Sequence, residues 1–155
     1  MAQLKDWISR SAHSGSFERA SSPLGALIGI TGVGRTEWVL NWLVKNPEAS
    51  VVWIEKNLSV LPTALAQRGG GLERILFIEL GEVGEWEWTL LTLLRAQLFQ
   101  AIITPILTPD EQIKKTKDEK SLRRLQLLAE KAQCKVFLLS EVPSQHWTIS
   151  EQVQT

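Results

Sequence analysis

The sequence predicts an α/β domain with three layers, in which a mostly parallel β-sheet is flanked by helices. Short apolar runs alternate along the chain with amphipathic segments of helical period, which is the arrangement of a βαβ fold. The apolar runs are continuous rather than alternating, as is typical of strands covered on both faces. Strands are predicted at residues 26–31, 50–55, 74–79, 99–104 and 135–140, and helices at residues 35–46, 58–68, 86–97 and 117–133.

Helix-breaking residues separate these elements where the fold requires it. Asn46 and Pro47 predict the end of the first long helix. Three glycines at 69–71 separate the second helix from the next strand, and Pro105 and Pro109 predict a turn before the last helix. Each predicted helix is therefore bounded independently of the apolar pattern.

The domain organisation predicted from the length of 155 residues is one α/β domain with two short extensions. Residues 1–23 are expected to form a short packing helix followed by a Ser/Gly-rich link. Residues 24–143 are expected to form the α/β domain. Residues 144–155 are expected to be a flexible tail.

Composition excludes several classes of function. The formal net charge is zero, so no bulk attraction to nucleic acid or to a membrane surface is expected. No apolar stretch approaches the ~20 residues of a membrane span, and no secretory signal is present. The single cysteine, Cys134, rules out an internal disulfide and favours a reducing, cytoplasmic location; it is expected to be a buried small residue. His13 and His146 have no neighbours at metal-ligand spacing, so no metal site is predicted.

A phosphate-loop pattern follows the first predicted strand, with one key residue changed. Residues 29–36 read Gly-Ile-Thr-Gly-Val-Gly-Arg-Thr. A phosphate loop reads G-x-x-x-x-G-K-[ST]: backbone amides hold the phosphates, the Lys reaches the β- and γ-phosphates, and the hydroxyl binds Mg²⁺. Gly29, Gly34 and Thr36 fit this spacing, but Arg35 stands where the Lys belongs. Arg presents a planar fork rather than a compact point charge, so the exchange is not neutral.

The length of this loop depends on where the strand ends. If the strand ends at Ile28, the full loop is kept. If it runs through Thr31, the turn consists only of residues 32–34 and is too short to wrap a triphosphate. Ile30 continues the apolar run, so the short turn is expected. The residues that would bind a nucleotide here are Gly32, Gly34, Arg35 and Thr36.

The carboxylates that an ATPase needs are missing or have structural alternatives. A metal-orienting carboxylate is expected at the end of an apolar strand, but the strand at 99–104 is followed by Pro105. Glu55 and Glu79 are candidates for a base, yet strand-end carboxylates often cap the next helix instead. We therefore expect neither ATPase activity nor a bound cofactor. The alternative from the enzyme class is a divergent P-loop ATPase, for which ATP would be the bound nucleotide.

Several segments resemble RecA-like proteins. Residues 24–30 and 51–55 resemble the first two strands of the RecA core. Residues 121–130 read Ser-Leu-Arg-Arg-Leu-Gln-Leu-Leu-Ala-Glu and resemble the Leu-Arg-Arg-Leu-Gln-Leu-Ala-Ala-Glu stretch of ImuA proteins. Residues 69–78 are similar to the segment leading into the third strand of that family. The resemblance covers roughly residues 24–140 and implies a reduced RecA-like P-loop NTPase core.

ImuA proteins are RecA-like accessories of bacterial damage-induced mutagenesis. The resemblance therefore implies a non-catalytic accessory protein of the SOS response and translesion synthesis, acting through protein partners: the inactive polymerase homologue ImuB, an error-prone polymerase and RecA. The sequence departs from RecA in having Asn57 at the place of a catalytic glutamate and Glu141 at that of the phosphate-sensing glutamine. SulA-type inhibitors of cell division, which bind FtsZ, share the reduced core and are the alternative.

Trp and Arg side chains supply the candidate partner surface. Residues two apart on a helix face different directions, so one of Trp86 and Trp88 is expected inside and the other outside. Trp86 is the candidate anchor for a partner. Arg123 and Arg124 are expected on the outer face of the last helix, where they would meet phosphates or an acidic partner or simply be solvated. Whether DNA is touched directly is left open. The remaining tryptophans of interest are expected in the core, namely Trp38 and Trp42.

Overall fold

The computed structural model describes residues 25–56, 61–67, 71–106, 115–140 and 151–155. Within these ranges, strands and helices alternate along the chain as the apolar pattern predicts. Their bounds are β1 Ala26–Thr31, α1 Arg35–Lys45, β2 Val51–Glu55, α2 Leu61–Gln67, β3 Ile75–Glu79, α3 Trp86–Ala96, β4 Ala101–Pro105, α4 Lys115–Ala132, β5 Lys135–Ser140 and β6 Glu151–Gln154. Short 3₁₀ turns precede β3 and α3, at Leu72–Arg74 and Val83–Glu85.

The described strands form one parallel sheet with the order β3-β2-β4-β5-β1-β6. Helices cover both faces, so the predicted three-layer α/β architecture is confirmed. Parallel pairing requires crossover connections, and the helices that make these connections bury the faces of the sheet. The strands β1, β2, β4 and β5 are buried over nearly their whole length for this reason.

The strand β6 corrects the expectation of a flexible tail at 144–155. Residues 151–154 pair with β1 in parallel register, with Ile28 opposite Glu151 and Thr31 opposite Gln154. Val153 is buried. The sequence Glu-Gln-Val-Gln contains no apolar run. An edge strand can pair without one, since backbone hydrogen bonds supply most of its contact with the sheet. The sequence did not predict this strand because residues 151–154 show no apolar pattern. Residues 144–150 and residues 1–23 lie outside the described residues.

Two cores lie on the two faces of the sheet. On the α1 face, the Trp42 ring packs edge-on against Phe137 at 5.0 Å between ring centroids, and Trp38 does so at 5.7 Å. Trp42 is fully buried and Trp38 is partly buried against the same cluster, so their predicted place in the core is confirmed. The opposite core is built from α3, α4 and the other faces of the strands, with Leu90 and Leu125 fully buried.

A half-buried guanidinium, that of Arg74, holds the end of α1. Arg74 donates through Nη2 to the carbonyl of Leu43 at 2.6 Å and through Nη1 to the carbonyls of Asn46 at 2.9 Å and Ala49 at 3.1 Å. These carbonyls lie in the last turn of α1 and in the turn that follows it, where positive charge is favoured. Burial lowers the pKa of Arg74, and the nearby Glu73 opposes that shift. Nothing in the sequence around Arg74 predicts this contact.

The start of β1 lies directly against the end of α4. A Cβ placed on Gly25 would lie 1.9 Å from the carbonyl oxygen of Ala129 and 2.8 Å from the Cα of Glu130. Both are backbone atoms, which cannot move aside as a flexible side chain would. Glycine at this position therefore sets the distance between β1 and α4.

Candidate functional site

The carboxyl ends of the parallel strands meet at one edge of the sheet. In open α/β sheets, ligands bind beyond this edge. Here the edge carries Thr31 of β1, Glu55 of β2, Glu79 of β3 and Thr104 of β4. Any nucleotide held by the phosphate-loop pattern would lie at this edge.

The turn between β1 and α1 is tight. β1 continues through Thr31 and α1 begins at Arg35, which leaves three residues between them. The predicted short turn is therefore confirmed. Gly32 adopts a positive φ of 99°, which an L side chain rarely adopts. A turn of this length cannot wrap a triphosphate as a full phosphate loop does.

Thr155 occupies the mouth of this turn. Its hydroxyl accepts a hydrogen bond from the amide of Gly34 at 3.1 Å and donates one to the carbonyl of Thr31 at 2.6 Å. Its own amide donates to the same carbonyl at 2.8 Å. A Cβ on Gly32 would lie 2.7 Å from the Thr155 hydroxyl oxygen. The Gly34 amide, which a phosphate loop would offer to a phosphate, is thus used within the protein.

Arg35 folds back onto the same turn. Its Nη1 donates to the carbonyl of Gly32 at 2.7 Å. The side chain is half-buried, whereas the neighbouring Thr36 is exposed and Val33 is almost completely exposed. The structure therefore brings Gly32, Gly34 and Arg35 together with Thr155, and leaves Thr36 outside this network.

Glu55 is held by the indole next to it. The Nε1 of the fully buried Trp53 donates to the Oε1 of Glu55 at 3.1 Å. Burial raises the pKa of this half-buried carboxyl, and the hydrogen bond from Trp53 partly offsets the rise. A buried indole N–H needs an acceptor, so Glu55 has a structural partner. Glu79 lies opposite it in the pairing of β2 with β3 and is exposed.

Thr104 stands where a metal-orienting carboxylate would be expected. It is fully buried, and its hydroxyl accepts a hydrogen bond from the Nε1 of Trp86 at 2.8 Å and donates to the carbonyl of Pro105 at 2.8 Å. Within the described ranges, no group of three or more His, Cys, Asp or Glu side chains is arranged to hold a metal ion.

The hydrogen bond between Trp86 and Thr104 reverses the expected roles of the two tryptophans at the start of α3. Trp86 is only 4% exposed, whereas Trp88 is 68% exposed. The 3₁₀ turn before α3 presents Trp86 to the sheet, where the Thr104 hydroxyl satisfies its indole N–H. The candidate anchor is therefore Trp88 and not Trp86. The sequence indicated that one of the pair would be exposed, but not which one.

The outer faces of α3 and α4 lie side by side. An ion pair at 3.9 Å joins Arg124 on α4 to Glu87 on α3. Arg123 and Arg124 are exposed, as predicted. We define the α3–α4 surface by its exposed apolar and basic residues, which are Trp88, Arg95, Arg124, Leu127 and Lys131.

Cys134 is buried, as predicted. Burial raises the pKa of its thiol to about 12, and the neighbouring Lys135 opposes that shift. The thiolate is the nucleophilic form, so burial disfavours a nucleophilic role for this residue. The two departures from RecA at Asn57 and Glu141, and both histidines, lie outside the described residues.

Comparison with known proteins shows the fold but no closer relationship. No protein-family model matches the sequence, and no curated protein matches it. The RadB recombinase is similar in structure, with a TM-score of 0.63 and 16% identity over 81% of this chain; the match spans 65% of the RadB chain. SulA from Pseudomonas aeruginosa is similar with a TM-score of 0.57 and 14% identity, over 77% of this chain and 98% of SulA.

The protein therefore has a RecA-like fold, to which SulA is also similar in structure. Identities this low describe the fold alone, so neither likeness bears on the resemblance to ImuA proteins. Among the described helices, none is long and apolar enough to cross a membrane.

Proposed function

We propose that this protein is a non-catalytic RecA-like accessory of bacterial SOS mutagenesis that acts by binding other proteins. The observation that supports it is the closed turn after β1, in which Thr155 takes the amide of Gly34 and Arg35 takes the carbonyl of Gly32. A RecA-like architecture with its nucleotide groups bonded internally is suited to docking rather than to energy conversion. The resemblance to ImuA proteins supplies the partners: ImuB, an error-prone polymerase and RecA.

The geometry at the strand ends disfavours the alternative of a divergent P-loop ATPase. The Lys that reaches the β- and γ-phosphates is replaced by Arg35, and Thr104 stands in place of a metal carboxylate. Glu55 already accepts the indole N–H of Trp53. Each of these groups has a structural partner that phosphoryl transfer would have to displace.

Nucleotide binding tests the non-catalytic part of the proposal. We expect no saturable binding of a fluorescent ATP analogue with Mg²⁺, and no phosphate release above the blank. The matched variant Arg35→Lys restores the residue of a working loop but not its length, so it is expected to stay inactive as well. Mg²⁺-dependent hydrolysis that disappears in Arg35→Ala would refute the proposal.

Partner capture tests the biological part. Purified tagged protein should retain ImuB, the error-prone polymerase or RecA from the same organism, each tested as a purified protein. The second candidate function is a SulA-type inhibitor of cell division, which is favoured by the likeness that spans 98% of SulA. Capture of FtsZ without the other three would replace the first function by the second.

A further inference from the structure

We infer that the α3–α4 surface binds an acidic amphipathic helix presented by a partner protein. This inference deepens the proposed function, because it names the surface and the chemistry through which docking would occur. It rests on the position of two exposed apolar side chains and on the charges around them.

The apolar part of the surface consists of Trp88 and Leu127, which are 68% and 51% exposed. Trp88 directly follows Glu87 on α3, and Leu127 lies three residues, nearly one turn, after Arg124 on α4. Glu87 and Arg124 form the ion pair that joins the two helices, so each of these apolar side chains lies within one helical turn of that pair along its own helix. An exposed Trp beside an aliphatic side chain is the kind of anchor found at binding hot spots.

The charges around this apolar pair are mainly positive. Arg95 lies seven residues after Trp88, on the same side of α3. Arg124 and Lys131 lie three residues before and four residues after Leu127, so they flank it along α4. All three basic side chains are exposed.

Two acidic side chains near this pair have partners within the protein. Glu87 pairs with Arg124, and Glu130 accepts a hydrogen bond from the side-chain amide of Gln126 at 3.2 Å. The surface thus carries two exposed apolar side chains with basic side chains near them on both helices. Its complement is a helix with apolar residues spaced by three and four positions and with carboxylates on both flanks.

A nucleic acid strand fits this surface less well. Trp88 could stack on a base, and the basic side chains could meet phosphates. However, Leu127 offers no stacking face for a second base. We therefore assign the surface to a protein helix and treat a nucleic acid as an outcome of the test.

The test uses the full chain and a designed peptide of about 18 residues, with Leu at helical spacing and Glu on both flanks, labelled for fluorescence anisotropy. We expect saturable binding that weakens with added salt. The same peptide with every Glu replaced by Lys should bind at least about tenfold more weakly. Trp88→Ala should weaken binding of the acidic peptide about tenfold or more.

Two further variants separate docking from a loss of structure. Leu127→Glu places a negative charge on the surface and should weaken binding of the acidic peptide in the same way. Val44→Ala removes a partly exposed apolar side chain from α1, on the opposite face of the sheet, and should leave binding unchanged. Circular dichroism and melting temperature should be the same for all three variants, because each residue is exposed.

The inference is overturned if the wild type does not bind the acidic peptide, if the two peptides bind equally, or if Trp88→Ala has no effect. It is also overturned if oligothymidylate binds in a Trp88-dependent manner while the peptide does not. Its failure is distinguishable from failure of the proposed function. Capture of ImuB, the polymerase or RecA that is equal in wild type and Trp88→Ala would refute the surface alone, whereas peptide binding without capture of any of them would refute the function alone.

Discussion

The turn after β1 and the α3–α4 surface differ in whether their groups already have partners within the protein. In the turn, the amide of Gly34 and the carbonyls of Thr31 and Gly32 are hydrogen-bonded within the protein. On the surface, Trp88 and Leu127 are left in water. A satisfied polar group gains little from a new partner, whereas covering apolar area gains about 25 cal/mol per Å².

This difference favours binding at the α3–α4 surface over binding at the turn. A nucleotide would first have to displace Thr155 from the mouth of the turn, and it would find no loop long enough to hold its phosphates. A partner on the α3–α4 surface would displace only water. The comparison therefore separates the region that resembles a site in sequence from the region that is open in structure.

The largest expected effect comes from disturbing the close packing of Gly25, just before β1, against the end of α4. Gly25→Ala would place Cβ 1.9 Å from the carbonyl oxygen of Ala129, between the strand that carries the turn and the helix that carries the surface. We expect a loss of about 3 kcal/mol or more in the free energy of unfolding, or failure to fold. Urea unfolding followed by tryptophan fluorescence measures it.

Gly81→Ala is the matched control for this change. A Cβ at Gly81 meets no atom within 4 Å, so its effect should stay within about 0.5 kcal/mol. If the two variants had equal stability, the close packing of β1 on α4 would be contradicted.

A smaller loss is expected when the turn itself is opened. Gly32→Ala combines a positive φ of 99° with a Cβ 2.7 Å from the Thr155 hydroxyl oxygen. We expect a loss of about 2 kcal/mol in the free energy of unfolding, because both the backbone strain and the displacement of Thr155 contribute. Binding of the acidic peptide to the α3–α4 surface should not change.

The matched control in the same turn is Gly34→Ala. Its Cβ would lie 3.4 Å from Thr155, at the border of ordinary contact, and its backbone does not require glycine. The loss should be clearly smaller than for Gly32→Ala in the same unfolding experiment. Nucleotide binding gained by either variant would contradict the conclusion that the turn is too short for a triphosphate.

The smallest expected effect is a pH dependence at the edge of the sheet. Burial raises the pKa of Glu55, so the folded protein keeps this proton at a pH at which the unfolded chain has lost it. Stability contributed by this group is therefore present below the unfolded-chain pKa, roughly 4.3. It is lost as the pH rises through the higher folded value.

Glu55→Gln should remove this part of the pH dependence while keeping an oxygen that accepts the indole N–H of Trp53. Denaturant unfolding between about pH 4 and pH 7 should show the variant gaining stability relative to the wild type as the pH rises. Glu79→Gln, at the exposed register partner on β3, is the control for removing one carboxylate from the same edge of the sheet. If the variant instead lost stability relative to the wild type as the pH rises, the Trp53 hydrogen bond would outweigh burial in setting the pKa of Glu55.

Local pattern was sufficient for most of the scaffold. The continuous apolar runs predicted β1 and β5 to the residue, because strands covered on both faces consist mainly of apolar residues. The same reasoning predicted that β1 would continue through Thr31 and so shorten the turn. The amphipathic period placed the buried residues Leu122 and Leu125 on the inner face of α4.

Contacts between distant segments were not predictable in this way. Thr155 meets Gly34 across 121 positions, and Arg74 reaches the carbonyls of α1 from 25 to 31 positions away. The choice between Trp86 and Trp88 depended on the Thr104 hydroxyl, which belongs to another strand. No local window contains both partners of such a contact.

The sequence by itself determined the alternation of strands and helices, the short turn at 32–34 and the loss of the phosphate-loop lysine, because each depends on neighbours within a few positions. Only the tertiary structure decided that Thr155 closes the turn, that Trp86 is buried and that Trp88 faces solvent. Those outcomes depend on which polar groups the parallel sheet brings to its carboxyl edge, and that arrangement exists only once distant strands have paired.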